Sequence, residues 1–472
     1  MIFSRLEFVL FFALVCGVAW RLRRKRSRNA WLLGASYYFY AYWDVRFCAL
    51  LLFSTTVDFL LARWMADAVS PARRKLWLTA SLAINLGVLG FFKYANFFID
   101  SAAQLFGRLE LHPGTLSIVL PVGISFFTFQ TMSYTIDVYR RRIEPAKDFL
   151  DFALYVAFFP QLVAGPIVRA SECLPQLQRV PQWSDGRFYG GFSQFLRGAV
   201  KKVLLADRMA EMVDVVWEGP QLYAGTTLAI ASVAYAGQIY LDFSGYTDMA
   251  IGVAKMLGYR FPKNFRHPYL ATSIADFWHR WHMTLSRWLR DYLYIPLGGN
   301  RLGRVRTNFN LLATMTLGGL WHGAAWTFVV WGAGHGIALI AHRDLSRWHR
   351  AVVVPMLGQI ARGTAVPIVG WAATMAVVWV GWIFFRSDSF AQASTILGRI
   401  FGLAEGIVWY PPLPILAISL LIAEHTCYFT RMRLWFRMSP GHPWTPALWI
   451  MVIYALMLYS PRGFQPFVYF QF

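Results

Sequence analysis

A histidine-containing apolar segment is the part of this sequence that points most directly to chemistry. Residues 317–336, LGGLWHGAAWTFVVWGAGHG, contain two histidines, His322 and His335, and six glycines, but no Asp, Glu, Lys or Arg. Imidazole titrates near neutral pH, so histidine is the side chain most often used to take and return a proton. The alternative for each histidine is a buried, hydrogen-bonded packing role. Because glycine costs helix stability, the six glycines favour a functional role for His322.

If residues 317–336 form one helix, Gly318, Gly319 and Ala325 share a face with His322. Small residues on that face let a neighbouring helix, or a slim substrate, approach the imidazole closely. His335 would lie about 20 Å farther along the axis and about 220° around it. A straight helix would therefore keep His335 away from a reaction at His322.

A second segment, residues 273–300, has the pattern of a long amphipathic helix. Ser273 and Asp276 have capping-box spacing at its start, and Pro296 marks its end. One face is predicted to carry the apolar residues and one histidine: Trp278, Trp281, His282, Leu285, Trp288, Leu289, Tyr292 and Leu293. The other face is predicted to carry Asp276, His279, Arg280, Ser286, Arg287, Arg290 and Asp291. The pattern predicts about five turns at a membrane interface.

The two histidines of this segment do not predict a metal site. The helical pattern places His282 on the buried face and His279 on the polar face. Zinc needs at least a third protein ligand, and none is evident at a suitable spacing. We therefore expect no metal.

Two acidic residues interrupt a third apolar run, residues 240–252. Asp242 and Asp248 lie in YLDFSGYTDMAIG. Ionisable residues in membrane segments are costly and often functional. One interpretation is structural, with a carboxylate binding free backbone donors around Gly245. The other is a direct part in substrate handling.

The composition predicts a polytopic membrane protein. Of 472 residues, 57% are hydrophobic and 15% charged, and the mean hydropathy is +0.43. A span needs about 20 apolar residues. Runs of that kind lie around residues 6–20, 76–98, 223–241, 309–333, 364–385, 411–424 and 444–460. We predict an all-α fold with on the order of ten membrane segments, some of them short or re-entrant, in one domain, residues 1–472. The two prolines of residues 158–169 predict a broken piece buried in protein.

The positive charge fits a membrane protein better than a nucleic-acid-binding one. The net charge is +21, from 45 basic and 24 acidic side chains. Basic loops contact anionic lipid at the cytoplasmic leaflet, and they would also attract an anionic nucleotide thioester. The basic run at 21–28 directly follows the first apolar run, which predicts a retained span rather than a cleaved signal. The four scattered cysteines have no metal or redox spacing.

Taken together, these blocks resemble the membrane-bound O-acyltransferase family, in its bacterial polysaccharide branch. The resemblance covers residues 31–390 and is loose over 391–472. The matching blocks are WLLGASYYFYAYWD (31–44), GFFKYANFFID (90–100), PVGISFFTFQTMSYTIDVYR (121–140), FFPQLVAGPI (158–167), YLDFSGYTDMAIG (240–252), the run from Asn264 through residues 273–300, residues 317–336 and GWIFFR (381–386).

The resemblance implies a ring of tilted helices around a central tunnel. It also implies which residues form the catalytic site. His322 matches the family's invariant histidine in L-W-H-G, and His282 matches its second position in the R-W-H block. It implies acyl transfer from a thioester to a hydroxyl, with His322 as general base and His282 assisting. Trp321, Trp281, Asp291 and Arg280 are candidates for contacting the acyl donor.

The resemblance also implies the substrates and partners. The donor would be acetyl-CoA or another acyl thioester, with no bound cofactor. The acceptor would be an alginate-like or other exopolysaccharide, or an extracytoplasmic acetyltransferase partner protein. The chain would lie among the lipids of the bacterial inner membrane and bind no nucleic acid. Two alternatives remain open: D-alanyl transfer toward teichoic acid, and a transporter that exports a glycan or lipid.

Overall fold

The computed structural model describes residues 1–106, 116–357, 365–429, 443–459 and 467–468. Throughout these ranges the regular secondary structure is helical, apart from one isolated bridge between Tyr223 and Ile407. The all-α prediction is confirmed. The chain divides into two compact units, Met1–Arg197 with Tyr246–Pro262, and Gly198–Gly245 with Lys263–Phe472. The single-domain organisation stays a prediction.

In its described residues the first unit begins with ten α-helices in sequence order. They are α1 (Leu6–Arg21), α2 (Lys25–Ala41), α3 (Arg46–Asp67), α4 (Pro71–Leu89), α5 (Ala95–Phe106), α6 (Ile124–Tyr139), α7 (Phe149–Ala157), α8 (Phe159–Leu162), α9 (Ala170–Leu177) and α10 (Asp185–Ala199). A π-helical turn, Gly90–Tyr94, joins α4 to α5.

The second unit carries the remaining α-helices of the described chain. They are α11 (Asp207–Glu218), α12 (Gly225–Met256), α13 (Ile274–Arg280), α14 (Met283–Leu289), α15 (Gly303–His322), α16 (Trp326–Trp348), α17 (Val354–Leu357), α18 (Ala365–Arg386), α19 (Phe390–Phe401), α20 (Pro412–Phe429) and α21 (Thr445–Tyr459). Helix α12 belongs to this unit up to Gly245, and its last residues belong to the first unit.

Among the residues that the structure describes, three helical stretches are long and apolar enough to cross a bilayer: Arg46–Asp67, Pro71–Ala103 and Val366–Arg386. The last two coincide with apolar runs in the sequence. The first was missed, because Asp58 and neighbouring polar residues interrupt its apolar pattern. Two shorter apolar helices, Pro412–Cys427 and Thr445–Tyr459, coincide with the C-terminal runs.

Asp58 is buried in the first unit within a polar cluster between α3, α4 and α6. Its carboxylate accepts hydrogen bonds from Ser81 Oγ at 2.6 Å and from Asn85 Nδ2 at 2.8 Å. Asn85 Oδ1 in turn accepts a hydrogen bond from Thr131 Oγ1 at 3.1 Å. Hydrogen bonds of this kind join helices where neither water nor the hydrophobic effect between helices is available. The cluster therefore explains how a carboxylate is tolerated in α3.

The segment 158–169 is broken and buried, as the sequence predicted. Helix α7 ends at Ala157, α8 is a single turn that ends at Leu162, and no helix follows until Ala170. Phe158, Phe159 and Leu162 are fully buried. Proline inside this stretch prevents a continuous helix, because it lacks an N–H and clashes with the preceding turn.

Asp242 does not bind backbone donors around Gly245, so that part of the structural interpretation is wrong. Helix α12 continues through this region, and its own hydrogen bonds use those donors. Asp242 Oδ1 lies 2.9 Å from Lys202 Nζ, and Oδ2 accepts a hydrogen bond from the Val468 N–H at 2.8 Å. Lys202 also contacts Asp207 Oδ1 at 2.8 Å. The carboxylate is therefore part of a buried ionic triad.

Replacing Lys202 with methionine is expected to destabilise the protein strongly. The change leaves two buried carboxylates without their shared counter-ion, and breaking a buried ion pair in this way costs about 3–5 kcal/mol. The thermal unfolding midpoint in detergent should fall. The double variant Lys202→Met/Asp242→Asn, which removes one charge of each sign, should recover part of the loss. An unchanged midpoint in Lys202→Met would contradict this account of the triad.

Candidate functional site

The segment 317–336 is a helical hairpin, so it does not form the single helix on which the spacing argument was conditional. Helix α15 ends at His322 and α16 begins at Trp326. Between them, Gly323 and Ala325 have extended backbone dihedral angles. His322 therefore occupies the last position of α15, beside the turn, and α16 runs back along α15.

The glycines of this segment allow the two helices to touch backbone to backbone. A Cβ on Gly319 would clash with the Phe328 carbonyl and lie 2.9 Å from Gly332 Cα. A Cβ on Gly332 would clash with the Met315 carbonyl, and one on Gly336 would lie 3.0 Å from Leu312 Cα. The sequence pattern predicts two possible roles for the small residues, the approach of a neighbouring helix or of a slim substrate. The structure shows the approach of a neighbouring helix.

His322 is buried in a cage of aromatic rings. Its exposed fraction is 4%, and its ring centroid lies 5.1 Å from that of Trp331 and 5.4 Å from that of Phe385. Trp321, its neighbour in sequence, is 5.0 Å away. Interiors of this kind exclude water and have a low dielectric constant, so a hydrogen bond or charge at His322 acts more strongly than in water.

The segment 273–300 is broken at the second histidine, so the prediction of one five-turn helix is wrong. Helix α13 ends at Arg280, α14 begins at Met283, and a π-helical turn, Arg290–Tyr294, follows. His282 has a left-handed backbone conformation with φ = 38°. The capping prediction is confirmed, since Ser273 Oγ accepts a hydrogen bond from the Asp276 N–H at 3.1 Å.

Hydrogen bonds from a distant loop hold this break in place. The Asn264 carbonyl accepts a hydrogen bond from the Met283 N–H at 2.9 Å, and Asn264 Oδ1 accepts one from Thr284 Oγ1 at 2.6 Å. The Arg266 N–H donates to the Arg280 carbonyl at 3.0 Å. A left-handed non-glycine residue persists only where its surroundings fix it. The loop supplies that constraint for His282.

The break keeps the predicted division between buried and exposed faces. Trp281 and His282 are fully buried, and His279 is exposed. His282 packs edge-on against Phe243, with centroids 4.7 Å apart. It also lies 5.9 Å from Trp321, the residue before His322.

The structure brings His322 and His282 together from separate elements. Their ring centroids are 6.4 Å apart with an interplanar angle of 60°. At that separation the rings do not hydrogen-bond each other directly. One oxygen atom between them could reach a nitrogen of each ring at ordinary distances of about 2.7–3.0 Å. The pair can therefore hold a hydroxyl or carbonyl oxygen between two imidazoles.

His335 lies much nearer to His322 than a straight helix would allow. The same indole, Trp331, is 5.1 Å from the His322 ring and 4.8 Å from the His335 ring. The hairpin turn causes this difference from the prediction. Within the described residues neither nitrogen of His335 has a hydrogen-bond partner, and its ring packs against Trp278 at 5.3 Å.

The four candidates for donor contact have different positions. Trp321 lies beside both histidines, whereas the Trp281 ring packs 4.9 Å from Trp382. Arg280 Nε donates to Asp276 Oδ1 at 2.8 Å. Asp291 Oδ1 accepts from Arg290 Nε at 2.7 Å. The roles of these residues in donor binding stay predictions.

Sequence reasoning missed the residues that surround the two histidines. Trp331 and Phe385 contact His322, Phe243 contacts His282, and Asn264 fixes the break. All four lie in the sequence blocks already quoted. Aromatic residues make up 17% of the chain, so Trp331, Phe385 and Phe243 do not stand out in it, and nothing in the sequence links Asn264 to the break at His282. Only the tertiary contacts identify them.

The chain is similar to known membrane acyltransferases. The family model described as "MBOAT, membrane-bound O-acyltransferase family" matches residues 142–376. The probable alginate O-acetylase AlgI of Pseudomonas putida is 37% identical over 504 residues, which covers 100% of both chains. That match includes the C-terminal residues 391–472, where the resemblance by blocks was loose.

Two further relatives have names that specify other acceptors. The peptidoglycan O-acetyltransferase of Helicobacter pylori is 38% identical, over 79% of this chain and 73% of that protein. The teichoic acid D-alanyltransferase of Bacillus subtilis is 26% identical, over 54% of this chain and 66% of that protein. The helical fold and the apolar helices agree with the 37% identity to the Pseudomonas putida protein over the full length of both chains. This chain therefore belongs to the membrane-bound O-acyltransferase family and is a membrane acyltransferase.

Proposed function

We propose that this protein moves an acetyl group from a cytoplasmic thioester donor across the membrane, for O-acetylation of an extracytoplasmic polysaccharide. The observation that carries the proposal is the pair of buried histidines, His322 and His282, 6.4 Å apart inside an aromatic cage. The chain would lie in the bacterial inner membrane, with acetyl-CoA as the donor and no bound cofactor.

The chemical step needs one base and one hydrogen-bonding group. The acceptor hydroxyl attacks the thioester carbonyl carbon, a C–O bond forms, the C–S bond breaks, and the thiolate leaves. His322 takes the hydroxyl proton as general base and returns it to the sulfur, so that the free thiol departs. His282 does not contact His322 directly, so it assists by polarising the thioester carbonyl, which develops negative charge in the transition state.

The aromatic cage supports this step because it keeps water out. A thioester held beside an activated water molecule would be hydrolysed instead of transferred. Trp331 and Phe385 pack directly on the His322 ring. Hydrogen bonds to the developing charge are also stronger in such a setting than in water.

The names of the relatives support acetyl transfer over D-alanyl transfer. Relatives named O-acetylase or O-acetyltransferase are 37–41% identical over 79–100% of the chain. The D-alanyltransferase relative is 26% identical and covers 54% of the chain. The acceptor is an alginate-like or other exopolysaccharide, reached directly or through an extracytoplasmic acetyltransferase partner. Membership of an acyltransferase family argues against the transporter alternative.

Membrane vesicles containing the protein test the donor and the acceptor together. We would supply acetyl-labelled acetyl-CoA on the cytoplasmic side and a deacetylated exopolysaccharide, with and without periplasmic extract, on the other side. Alkali-labile label on polysaccharide or on a periplasmic protein is the expected result. A parallel arm supplies D-alanine activated on its carrier protein.

Two results of this experiment would overturn the proposal. Ester label from the D-alanyl donor but not from acetyl-CoA would assign the chain to the D-alanyl branch. Equal label in vesicles that lack the protein would show that the transfer has another source.

A further inference from the structure

A second group of potential ligands lies away from the two central histidines. His267, Glu424 and His425 place one ligand atom each within 4.8 Å of one another. His267 Nδ1 is 3.4 Å from Glu424 Oε1, and His425 Nδ1 is 2.9 Å from Glu424 Oε2. Among the residues that the structure describes, this is the one such group of three, and it includes neither His279 nor His282.

The donor set and its exposure fit a transition metal ion. Two imidazole nitrogens and one carboxylate oxygen are a known ligand set for zinc, with a fourth position taken by water. Ligands bound at about 2.0–2.2 Å around one ion lie a few ångströms apart, as these atoms do. Glu424 has an exposed side-chain fraction of 40% whereas that of His425 is 7%, so the group is open on one side and packed on the other.

Both chain segments of the group are held firmly. His267 has a left-handed backbone conformation with φ = 47°, which is costly for a residue with a side chain. The His425 ring packs edge-on against Tyr240 at 5.4 Å and against His267 at 5.4 Å. A ring fixed on two sides presents its nitrogen in one direction, as a metal ligand must.

We propose that His267, Glu424 and His425 form a zinc site that fastens α20 to the loop preceding α13. This departs from the expectation of no metal, which considered His279 and His282. His267 lies one residue beyond Arg266, which hydrogen-bonds the end of α13 at the break that holds His282. The ion would therefore clamp α20 to the loop beside the candidate site, with its fourth position open to water, and the proposal does not depend on the proposed acetyl transfer.

The competing account is a hydrogen-bonded triad without metal. His425 Nδ1 lies 3.1 Å from the Leu421 carbonyl, and Lys201 acts electrostatically on Glu424. Zinc requires deprotonated imidazoles and must replace the contact with Leu421. Bound zinc should therefore be released as the pH falls and the histidines protonate.

The test measures zinc on the purified, full-length protein in detergent after chelation and removal of any affinity tag. Zinc chloride is titrated in and followed by calorimetry, and bound metal is counted by mass spectrometry. We expect one zinc ion per chain. Glu424→Gln and His267→Ala should each weaken binding by more than the ~10–100-fold that loss of an outer-shell partner causes. His279→Ala, which removes an exposed histidine of α13, is the matched control and should bind as wild type does.

Size-exclusion profiles confirm that each variant is folded before its affinity is compared, and Glu424→Gln keeps the shape of the side chain. Zinc binding that is lost in both variants, kept in His279→Ala and weakened at low pH supports the clamp. Absence of a stoichiometric ion in the wild type, or equal binding in all four proteins, would overturn it and leave the hydrogen-bonded triad.

Discussion

Alanine at position 322 is expected to remove nearly all acetyl transfer while the protein stays folded and inserted. General base catalysis contributes about 10²–10⁴-fold to a rate, and alanine has no group that could take the acceptor's proton in place of the imidazole. Truncating this buried side chain leaves a cavity and costs some stability. We nevertheless expect the site to stay assembled, because Trp331 and Phe385 pack against each other, with ring centroids 5.1 Å apart, and that contact does not involve the imidazole. The measurement is ester label transferred from acetyl-CoA in vesicles that contain equal amounts of detergent-extractable, monodisperse protein.

His279→Ala is the control for this experiment. His279 lies three residues from His282 but is exposed, and its Nδ1 contacts the Ala275 carbonyl at 2.7 Å within its own helix. Its removal should leave transfer unchanged. If His322→Ala transfers label as fast as the wild type, His322 is a packing residue and the proposed mechanism is wrong.

The burial of a side chain could be predicted from the sequence wherever it follows from the helical periodicity of apolar residues. The amphipathic pattern of residues 273–293 placed His282 inside and His279 outside, and both positions are confirmed. The break between α13 and α14 could not be predicted in the same way. No glycine or proline marks it, and the hydrogen bonds that fix His282 come from Asn264, far away in sequence.

Tertiary contacts also determine how the hairpin of α15 and α16 folds and which role its glycines have. An apolar run from 309 to 333 has the length of one membrane span, yet the structure folds it into parts of α15 and α16. Glycine can equally serve a turn, a close approach of helices or a ligand. Only the position of Phe328 and Met315 shows that Gly319 and Gly332 serve the close approach.

Alanine at Gly319 is expected to give one of the largest losses of stability in this protein. The new Cβ would clash with the Phe328 carbonyl and lie 2.9 Å from Gly332 Cα and 3.0 Å from Gly332 N. These are backbone atoms, so the clash is relieved only if α15 and α16 separate. Overpacking costs about 1–3 kcal/mol where side chains can adjust, and backbone contacts leave less room to adjust. The thermal unfolding midpoint in detergent is the measurement.

Gly334→Ala is the matched control, because it makes the same chemical change in the same hairpin. Gly334 lies in α16 two residues after Gly332, and an added Cβ would meet nothing within 4 Å. Alanine there should be neutral or stabilising by about 0.5–1 kcal/mol, since glycine is the poorer helix former. Equal midpoints in the two variants would show that the helices are not in backbone contact. A lower unfolding midpoint in Gly319→Ala but not in Gly334→Ala, together with reduced acetyl transfer, is the expected result. It would show that the close approach of α15 and α16 positions His322, which lies three residues after Gly319.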